Sequence, residues 1–568
     1  MIAGANLNYS LGKYEGAVLH TLGALQKGRI IQRIWKQDYT VWKAKPDNII
    51  NRLGWLNAPR DTLKQLSYVR AVLDPIIAEG YTDAVLLGMG GSSLAAEVFS
   101  RIFSRREGHP NLHILDTTDP VSISQISKKL NLAKTLFLVS SKSGTTLETV
   151  LLFHYFYNLA LKKSGKKAGR NFIIITDPDS PLEELAYRLS LRHVFLSNPA
   201  IGGRYSALSF PGIVPAALMG IDVEKLLRNA LTIEETEESQ FFNGRLNSSG
   251  SVLGAVLGTL AQKGRSKLTF IFPPTWAPLG SWLEQLIAES TGKEGKGILP
   301  VCAEPLMMPA AYKDDRLFVI FHSKEKASPK KVSAIIAAGH PVITVRLQNK
   351  FQLASQMFLW EMATAVSSHI LGINPFDQPD VEASKIITRR MIDLYRGKKE
   401  LPQEKAVLAT KECDGYGCTM AATPADALTK FLSGAKGNAY VCLQVYLKAT
   451  PQVAEALLEL RTAISKKYRL AAVISYGPRY LHSTGQLHKG DNGQGLFIQL
   501  TSDDKLDIEI PDRPGTAAST LTFGTLKSAQ AMGDRQALIK LNRKIIRFHL
   551  KENIMATINA MAVSVREN

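Results

Sequence analysis

Short apolar runs alternate with longer stretches of helical periodicity between residues 60 and 225. The runs are almost continuously hydrophobic and cover residues 83–88, 112–115, 134–139, 171–176 and 192–196. Strands that are apolar on both faces are typical of parallel sheets covered by helices on both sides. The pattern therefore predicts a doubly wound α/β domain.

The same alternation returns further along the chain. Apolar runs at 267–272, 317–321 and 341–346 and a long helical pattern at 351–371 predict a second α/β domain. A charged, proline-broken stretch at 396–405 follows and is the best linker candidate.

The last part of the chain has a different pattern. Apolar runs at 440–447 and 470–475 flank a helical pattern, whereas residues 495–500 and 507–510 alternate in polarity, as antiparallel strands do. We predict a helical segment, two parallel-sheet domains and a C-terminal α+β domain, with the boundaries 1–60, 61–225, 226–400 and 401–568.

Composition narrows the class of protein. The chain has 568 residues, 45% of them hydrophobic, and a formal charge of +19. No recognition motif accompanies the basic residues, so we expect no nucleic acid partner. No apolar run is long enough to span a bilayer, and no signal peptide precedes the first predicted helix. Four dispersed cysteines form neither a disulfide framework nor a zinc site, so we expect a cytoplasmic protein.

The segment from Ser140 to Thr149 carries the strongest chemical signal. It lies where a predicted strand leads into a predicted helix, and a helix N-terminus stabilises bound phosphate through free N–H groups and partial positive charge. Five of the seven residues from Ser140 to Thr146 bear hydroxyl groups. An ordinary helix cap needs only one. We therefore predict a phosphate site rather than a plain cap.

A second turn, Gly-Met-Gly-Gly-Ser-Ser at 88–93, follows another predicted strand. It is similar to a dinucleotide-binding fingerprint, and Asp116 could meet a ribose, but the fingerprint requires glycine where Ser93 stands. Both turns would share the carboxyl edge of one sheet. Two turns of this kind that converge there favour a single phosphate over a pyrophosphate.

Three further segments offer reactive side chains, each with an ordinary structural alternative. Gly202 and Gly203 precede Arg204, whose guanidinium could bind a ligand, although such loops are commonly structural. Glu289 ends an amphipathic helix and could act as a base, or be a solvated helix end. Lys385 lies on the second turn of a predicted helix, where a surface lysine is the simpler interpretation.

Taken in order, these segments resemble the signature segments of the glucose-6-phosphate isomerase (phosphoglucose isomerase) family. They read Gly-Met-Gly-Gly-Ser-Ser, Ser-Lys-Ser-Gly-Thr-Thr-Leu-Glu-Thr, Gly-Gly-Arg-Tyr-Ser, Glu-Ser-Thr-Gly-Lys and Asn-Pro-Phe-Asp-Gln-Pro-Asp-Val-Glu-Ala-Ser-Lys. The remainder, including residues 477–490, resembles the isomerase portion of bifunctional transaldolase/glucose-6-phosphate isomerases. The resemblance implies two sugar-isomerase (SIS) domains and a homodimer. It also implies reversible conversion of glucose 6-phosphate to fructose 6-phosphate without metal or organic cofactor.

The resemblance also implies roles for individual residues. The phosphate would be held by Ser92, Ser141, Lys142 (through its backbone), Ser143 and Thr146. Gly91 and Gln378 would contact the substrate. Glu289 would move the proton between C2 and C1, Arg204 would stabilise the enediolate, and Lys385 would assist at the ring oxygen. These roles suit the reaction, because a weakly acidic proton beside a carbonyl needs a desolvated base and a nearby cation.

The histidine that opens the sugar ring departs from the family pattern, in which it lies between the Glu and Lys segments. That interval here holds His322, His340 and His369, none in a matching context. The best match comes later, in the segment from His482 to His488. We take His482 as the first candidate and His488 as the second, with a purely structural role for either as the alternative.

Two rival functions use the same phosphate turns. A non-catalytic sugar-phosphate-binding regulator would not need Glu289, Arg204 or Lys385, and no helix-turn-helix pattern precedes residue 60. A related aldose–ketose isomerase would act on mannose 6-phosphate or an aminosugar phosphate. The aminosugar branch is disfavoured because no amidotransferase-like segment with an N-terminal cysteine is present.

Overall fold

Three sheets, each rich in parallel strands, organise the chain. The structure is a computed structural model that describes residues 3–4, 6–242, 249–323 and 329–567. Its strands are β1 Ala3–Gly4, β2 Leu7–Ser10, β3 Asp83–Gly88, β4 Asn111–Leu115, β5 Thr135–Ser140, β6 Phe172–Thr176, β7 His193–Leu196, β8 Lys267–Ile271, β9 Leu299–Val301, β10 Arg316–His322, β11 Val342–Arg346, β12 Leu408–Ala409, β13 Cys413–Tyr416, β14 Tyr440–Tyr446, β15 Ala471–Tyr476, β16 Gly495–Ser502, β17 Glu509–Ile510, β18 Leu521–Thr522 and β19 Lys544–Leu550.

Helices cover these sheets and connect their strands. They are α1 Glu15–Lys27, α2 Ile30–Trp35, α3 Ala58–Lys64, α4 Leu66–Ala78, α5 Leu94–Ile102, α6 Pro120–Lys129, α7 Leu147–Ser164, α8 Pro181–Arg188, α9 Phe210–Leu218, α10 Val223–Phe242, α11 Ser249–Gln262, α12 Leu279–Thr291, α13 Pro329–Ala337, α14 Gln352–Leu371, α15 Val381–Lys398, α16 Pro424–Ser433, α17 Pro451–Tyr468, α18 Gly485–Gly490, α19 Phe523–Lys540 and α20 Ile554–Glu567. Within the described ranges, none of these helices is both long and apolar enough to cross a membrane.

The first sheet is entirely parallel, in the order β4-β3-β5-β6-β7. The apolar runs of the sequence form these five strands, so the predicted α/β class is confirmed. Strands β3 and β5 are neighbours, and their register pairs Gly88 with Ser140. The two turns singled out in the sequence therefore leave the sheet side by side at its carboxyl edge.

The second sheet has the order β1-β2-β11-β10-β8-β9. Its parallel strands include the three predicted apolar runs, and the predicted long helix is α14. The prediction that residues 1–60 are helical was wrong for residues 3–4 and 7–10, because these form β1 and β2, and β2 pairs antiparallel with β11. Alternating burial along residues 7–10 lets this short strand place Leu7 and Tyr9 in the core while Asn8 and Ser10 stay exposed.

The third sheet has the order β12-β13-β19-β16-β14-β15 and is mostly parallel. The antiparallel pairing predicted for residues 495–500 was wrong, because β16 runs parallel to both β14 and β19. Its side chains from Gly495 to Leu500 are all buried, so the polar residue Gln499 that produced the alternation lies inside the protein. Antiparallel pairing occurs instead between β13 and β19 and between β17 and β18.

The region of the third sheet is held against the first by a shared core. Phe523 and Leu526 on α19 are buried in one cluster with Phe137 and Phe156 of the first sheet region. The ring of Phe523 meets that of Tyr155 edge to face, 5.8 Å between centroids. This packing brings α19 and the turn before α18 to the carboxyl edge of the first sheet.

Candidate active site

A loop rich in hydroxyl groups leads from β5 into α7. The Ser141 hydroxyl donates to that of Thr146 at 3.0 Å, and the Ser143 and Thr145 hydroxyls lie 2.9 Å apart. Gly144 has φ +67°, and a side chain there would come within 2.9 Å of the Leu182 backbone nitrogen. The loop is therefore shaped by glycine and presents hydroxyl groups beside the N-terminus of an 18-residue helix.

Lys142 lies in this loop, but its side chain is used elsewhere. Its ammonium bonds the Asp177 carboxylate and donates to the Pro199 carbonyl at 2.9 Å. The backbone of Lys142 is the part that remains for an anion in the loop. The resemblance assigns the backbone of this residue, and not its ammonium, to the phosphate.

The turn Gly90–Ser92 lies where the other regions of the chain approach the first sheet. A Cβ on Gly91 would stand 2.0 Å from the Gly203 carbonyl oxygen, and one on Gly90 would stand 2.7 Å from the His482 carbonyl oxygen. Only glycine permits these approaches. The half-buried Ser92 ends this turn.

The next residue, Ser93, is buried and donates to Asp116 at 3.2 Å. The same Asp116 carboxylate accepts an ion pair from Arg479 at 3.3 Å. Asp116 is thus occupied by protein partners. This arrangement disfavours the dinucleotide alternative, which needs that carboxylate for a ribose.

Three predicted segments meet at the buried guanidinium of Arg204. Its Nη1 lies 3.0 Å from Oε1 of Glu289 and donates to Oε1 of Gln378 at 3.0 Å. Its Nε donates to the Ser290 hydroxyl at 3.1 Å, and its Nη2 to the Asp377 carbonyl at 2.7 Å. The side chains of Arg204 and Glu289 are 3% and 12% exposed, so this is a largely desolvated pair of base and cation.

A second cation stands beside this pair. The Lys293 side chain is 1% exposed and donates to the Asp377 carboxylate at 2.7 Å and its carbonyl at 2.6 Å. Burial, together with the nearby charge of Arg204, lowers the pKa of Lys293 to about 8. Sequence reasoning missed this lysine as a site residue, although it closes the Glu-Ser-Thr-Gly-Lys segment.

His482 faces a buried carboxylate. Its Nε2 lies 2.9 Å from Oε1 of Glu148, on the first turn of α7. Burial alone would lower the pKa of His482, but the Glu148 carboxylate outweighs it and raises that pKa above its ordinary value. Burial likewise acts to raise the pKa of Glu148, and the charge of His482 brings it below the ordinary value. Sequence reasoning missed Glu148, which belongs to the Leu-Glu-Thr end of the hydroxyl-rich segment.

Gln285 connects Glu289 to the turn that carries His482. Its Nε2 donates to Oε2 of Glu289 at 3.0 Å and to the His482 carbonyl at 2.8 Å. The helix α12 therefore holds both the carboxylate of Glu289 and the turn that carries the histidine. Sequence reasoning did not single out this glutamine, one turn before Glu289.

His488 is not brought into this cluster. It is fully buried between the rings of Tyr480 and Phe497, at centroid distances of 5.6 and 5.1 Å. Neither ring nitrogen has a hydrogen-bond partner among the residues that the structure describes. Burial lowers the pKa of His488 to about 3.

Lys385 lies on α15, as predicted, with its side chain 44% exposed. Its ammonium contacts Oε2 of Glu382 at 3.2 Å. Its charge lowers the pKa of both Glu148 and His482, which places it on the same side of the molecule as that pair. The described residues contain no group of three or more His, Cys, Asp or Glu arranged to hold a metal ion.

The sequence and fold of this chain are similar to those of known proteins. Residues 74–297 match the family model described as phosphoglucose isomerase. A glucose-6-phosphate isomerase from Rubrobacter xylanophilus is 31% identical over 394 residues, which cover 59% of this chain and 88% of that protein. The chain belongs to the phosphoglucose isomerase family.

Other relatives agree with this assignment. A glucose-6-phosphate isomerase from Thermus thermophilus is 27% identical over 391 residues, 60% of this chain and 90% of that protein. Among solved structures, a glucose-6-phosphate isomerase from Chlamydia trachomatis has a TM-score of 0.56 at 17% identity, over 70% of this chain and 89% of that chain. A protein from Thermus thermophilus described as hypothetical has a TM-score of 0.58 at 24% identity, over 68% and 99%. The structural likeness shows a shared fold.

Proposed function

We propose that this chain interconverts glucose 6-phosphate and fructose 6-phosphate. The observation that carries the proposal is the desolvated Arg204–Glu289 pair, 3.0 Å apart. Gly203, the residue before Arg204, packs against Gly91 in the turn that follows β3. The neighbouring strand β5 leads into the hydroxyl-rich loop. A base and a cation in one dry site are what proton transfer beside a carbonyl requires, because the cation stabilises the oxyanion that forms.

The phosphate occupies the loop between β5 and α7. Its oxygens accept from the hydroxyls of Ser92, Ser141, Ser143 and Thr146 and from the Lys142 backbone, and the N-terminus of α7 favours the negative charge. This arrangement anchors the end of the sugar that does not react. Gly91 and Gln378 border the path from the phosphate to the reacting carbons.

Ring opening is assigned to His482, with Lys385 assisting at the ring oxygen. The Glu148 carboxylate raises the pKa of His482 and so favours the protonated imidazole, which suits an acid that protonates the ring oxygen as the ring opens. Glu289 then moves the proton between C2 and C1, and Arg204 stabilises the enediolate between the two transfers. His488, buried away from this cluster, is assigned a structural role.

The direct test is an isomerase assay on purified protein. We expect fructose 6-phosphate to form from glucose 6-phosphate, and the reverse, at an undiminished rate when a chelator replaces added metal. Binding of glucose 6-phosphate without any turnover would support the rival regulator instead. Comparable rates on mannose 6-phosphate would identify a broader aldose–ketose isomerase.

The homodimer, the cytoplasmic location and the domain boundaries near residues 60, 225 and 400 follow from the resemblance and the sequence pattern. Members of the family that the sequence resembles are usually dimers, so we propose that two copies of this chain associate in solution. Sedimentation equilibrium at micromolar protein checks this directly. A single-chain mass at that concentration would contradict the homodimer.

A further inference from the structure

Gln530 lies far along the sequence from every signature segment, but the fold brings it into contact with the candidate site. It lies on α19, is 2% exposed, and donates from Nε2 to Oε1 of Glu148 at 2.6 Å. At its other end, Oε1 accepts from the Thr118 hydroxyl at 2.9 Å. Thr118 itself is fully buried. The amide is therefore bonded at both ends inside the protein.

The orientation of this amide follows from the groups around it. An ionised carboxylate only accepts hydrogen bonds, so the NH₂ end of Gln530 must face Glu148. The Thr118 hydroxyl then donates to the carbonyl end, which gives both groups a partner. A reversed amide would set its oxygen against the carboxylate oxygen.

The amide and the histidine share one acceptor atom. Oε1 of Glu148 accepts from Gln530 and also lies 2.9 Å from Nε2 of His482. Since a bond to a charged group is stronger than one between neutral groups, the amide restricts rotation of the carboxylate. It thereby keeps Oε1 pointed at the imidazole.

We propose that Gln530 is a positioning residue for ring opening, which acts by orienting Glu148 toward His482. This inference rests on the proposed function, because it presupposes that His482 opens the ring. It concerns only the step before proton transfer between C2 and C1. The hydrogen bonds from Thr118 to Gln530 and from Gln530 to Glu148 also connect α19 to the region of the first sheet. The packing that brings His482 to Glu148 therefore also brings Gln530 there.

Other charged residues also act on the His482 imidazole and contribute to its pKa. Glu148 on α7 and Glu289 on α12 raise the pKa of His482, while Lys385 on α15 lowers it. Loss of the amide weakens only the contribution of Glu148. The pKa of His482 then falls, and the protonated form is lost at a lower pH. The alkaline limb of the rate profile should move to lower pH, and the acidic limb should stay in place.

The experiment compares Gln530→Met with a matched control, Gln499→Met. Gln499 is also a fully buried glutamine, but it donates to the Ala531 carbonyl at 3.1 Å and does not contact Glu148. Each variant is assayed from pH 5.5 to 9.5 on glucose 6-phosphate and on an aldose 6-phosphate that lacks the 4- and 5-hydroxyls and so cannot close a ring. Thermal melting checks that each variant is folded.

For Gln530→Met we expect kcat on glucose 6-phosphate to fall about tenfold, with the alkaline limb moved to lower pH, since bonds to charged groups are worth that much. The rate on the open-chain substrate should change less than about twofold. Gln499→Met should show neither effect. Equal losses on both substrates, or an unchanged pH profile, would overturn the positioning role.

Two further variants keep the inference separable from the proposed function. If Gln530→Met does not fold, Thr118→Val removes the donor at the far end of the amide and should shift the same pH limb by a smaller amount. His482→Ala tests the premise. A selective loss on ring-closed substrate in His482→Ala, without one in Gln530→Met, rejects the role of Gln530 alone. No selective loss in His482→Ala rejects the ring-opening assignment and the role of Gln530 with it.

Discussion

The phosphate loop and the acid–base cluster lie side by side, yet they are built in different ways. In the loop, the hydroxyls of Ser141 and Thr146 contact each other across five residues of sequence. In the cluster, His482 meets Glu148 across 334 residues, and Arg204 meets Gln378 across 174. The loop is a local device that a short segment specifies. The cluster exists only when three sheets are packed together.

This difference separates binding from chemistry. Variants in the loop should change how much substrate is held, and variants in the cluster should change what happens to it. A loop variant that lowers kcat, or a cluster variant that changes only KM, would contradict this separation.

Glu289→Gln should have the largest effect. The amide keeps the shape and a contact to Arg204 but cannot accept the proton, so kcat should fall by about a thousandfold. Binding of sorbitol 6-phosphate, which cannot isomerise, should persist in calorimetry. Glu294→Gln is the matched control, because that nearby carboxylate pairs with Lys43 at the surface. Near-normal turnover in Glu289→Gln would reject the assigned base.

His482→Ala should follow, with a loss that depends on the form of the substrate. On glucose 6-phosphate the rate should fall about a hundredfold, as for other lost general acids. On the aldose phosphate that cannot close a ring, the loss should be only a few-fold. His488→Leu provides the comparison, since it should show no such selectivity once the rate is expressed per folded protein. Selectivity in His488→Leu instead would exchange the two assignments.

His488 gives a stability prediction with a definite sign. Its pKa is about 3 in the folded protein, against about 6.5 in an unfolded chain. The unfolded state therefore binds the extra proton as the pH falls below about 6.5, and the stabilisation present above that value is lost progressively toward pH 3. This residue alone should cost about 2 kcal/mol between pH 7 and pH 5.

The measurement is urea unfolding of the wild type and His488→Leu at both pH values. Leucine cannot take up the proton, so the free energy of unfolding should fall less in the variant than in the wild type. Equal losses in the two proteins would contradict the proposed neutral, buried histidine.

The smallest effect is expected in the loop. Ser141→Ala combined with Thr146→Val removes two phosphate donors and should raise KM about tenfold, with kcat changed less than about twofold. Competition by inorganic phosphate should weaken in parallel. A fall in kcat at unchanged KM would show that loop and cluster are not separable in this way.

The same contrast explains what could be predicted from the sequence. The strands of the first sheet and the Ser141–Thr146 loop were predictable, because apolar runs and clustered hydroxyls are local signals. The resemblance supplied Glu289 and Arg204 as site residues, but their contact needed the fold. Glu148 and Gln285 went unnoticed, since nothing beside them in the chain marks them as partners of distant groups.

The two candidate histidines show most directly what could not be predicted from the sequence. His482 and His488 lie six residues apart in the same segment, and no pattern in the sequence separates them on physical grounds. Burial separates them, because one faces a carboxylate and the other lies between two aromatic rings. In the same way, Gln499 produced a polar alternation in a strand that is buried from Gly495 to Leu500, so the antiparallel prediction was wrong.

The turn that carries His482 presses on Gly90 within one and the same polypeptide. The histidine assigned to ring opening and the residues assigned to phosphate binding are therefore covalently connected parts of one chain. Dilution can dissociate an active site that is shared between subunits, but it would not separate these residues from one another.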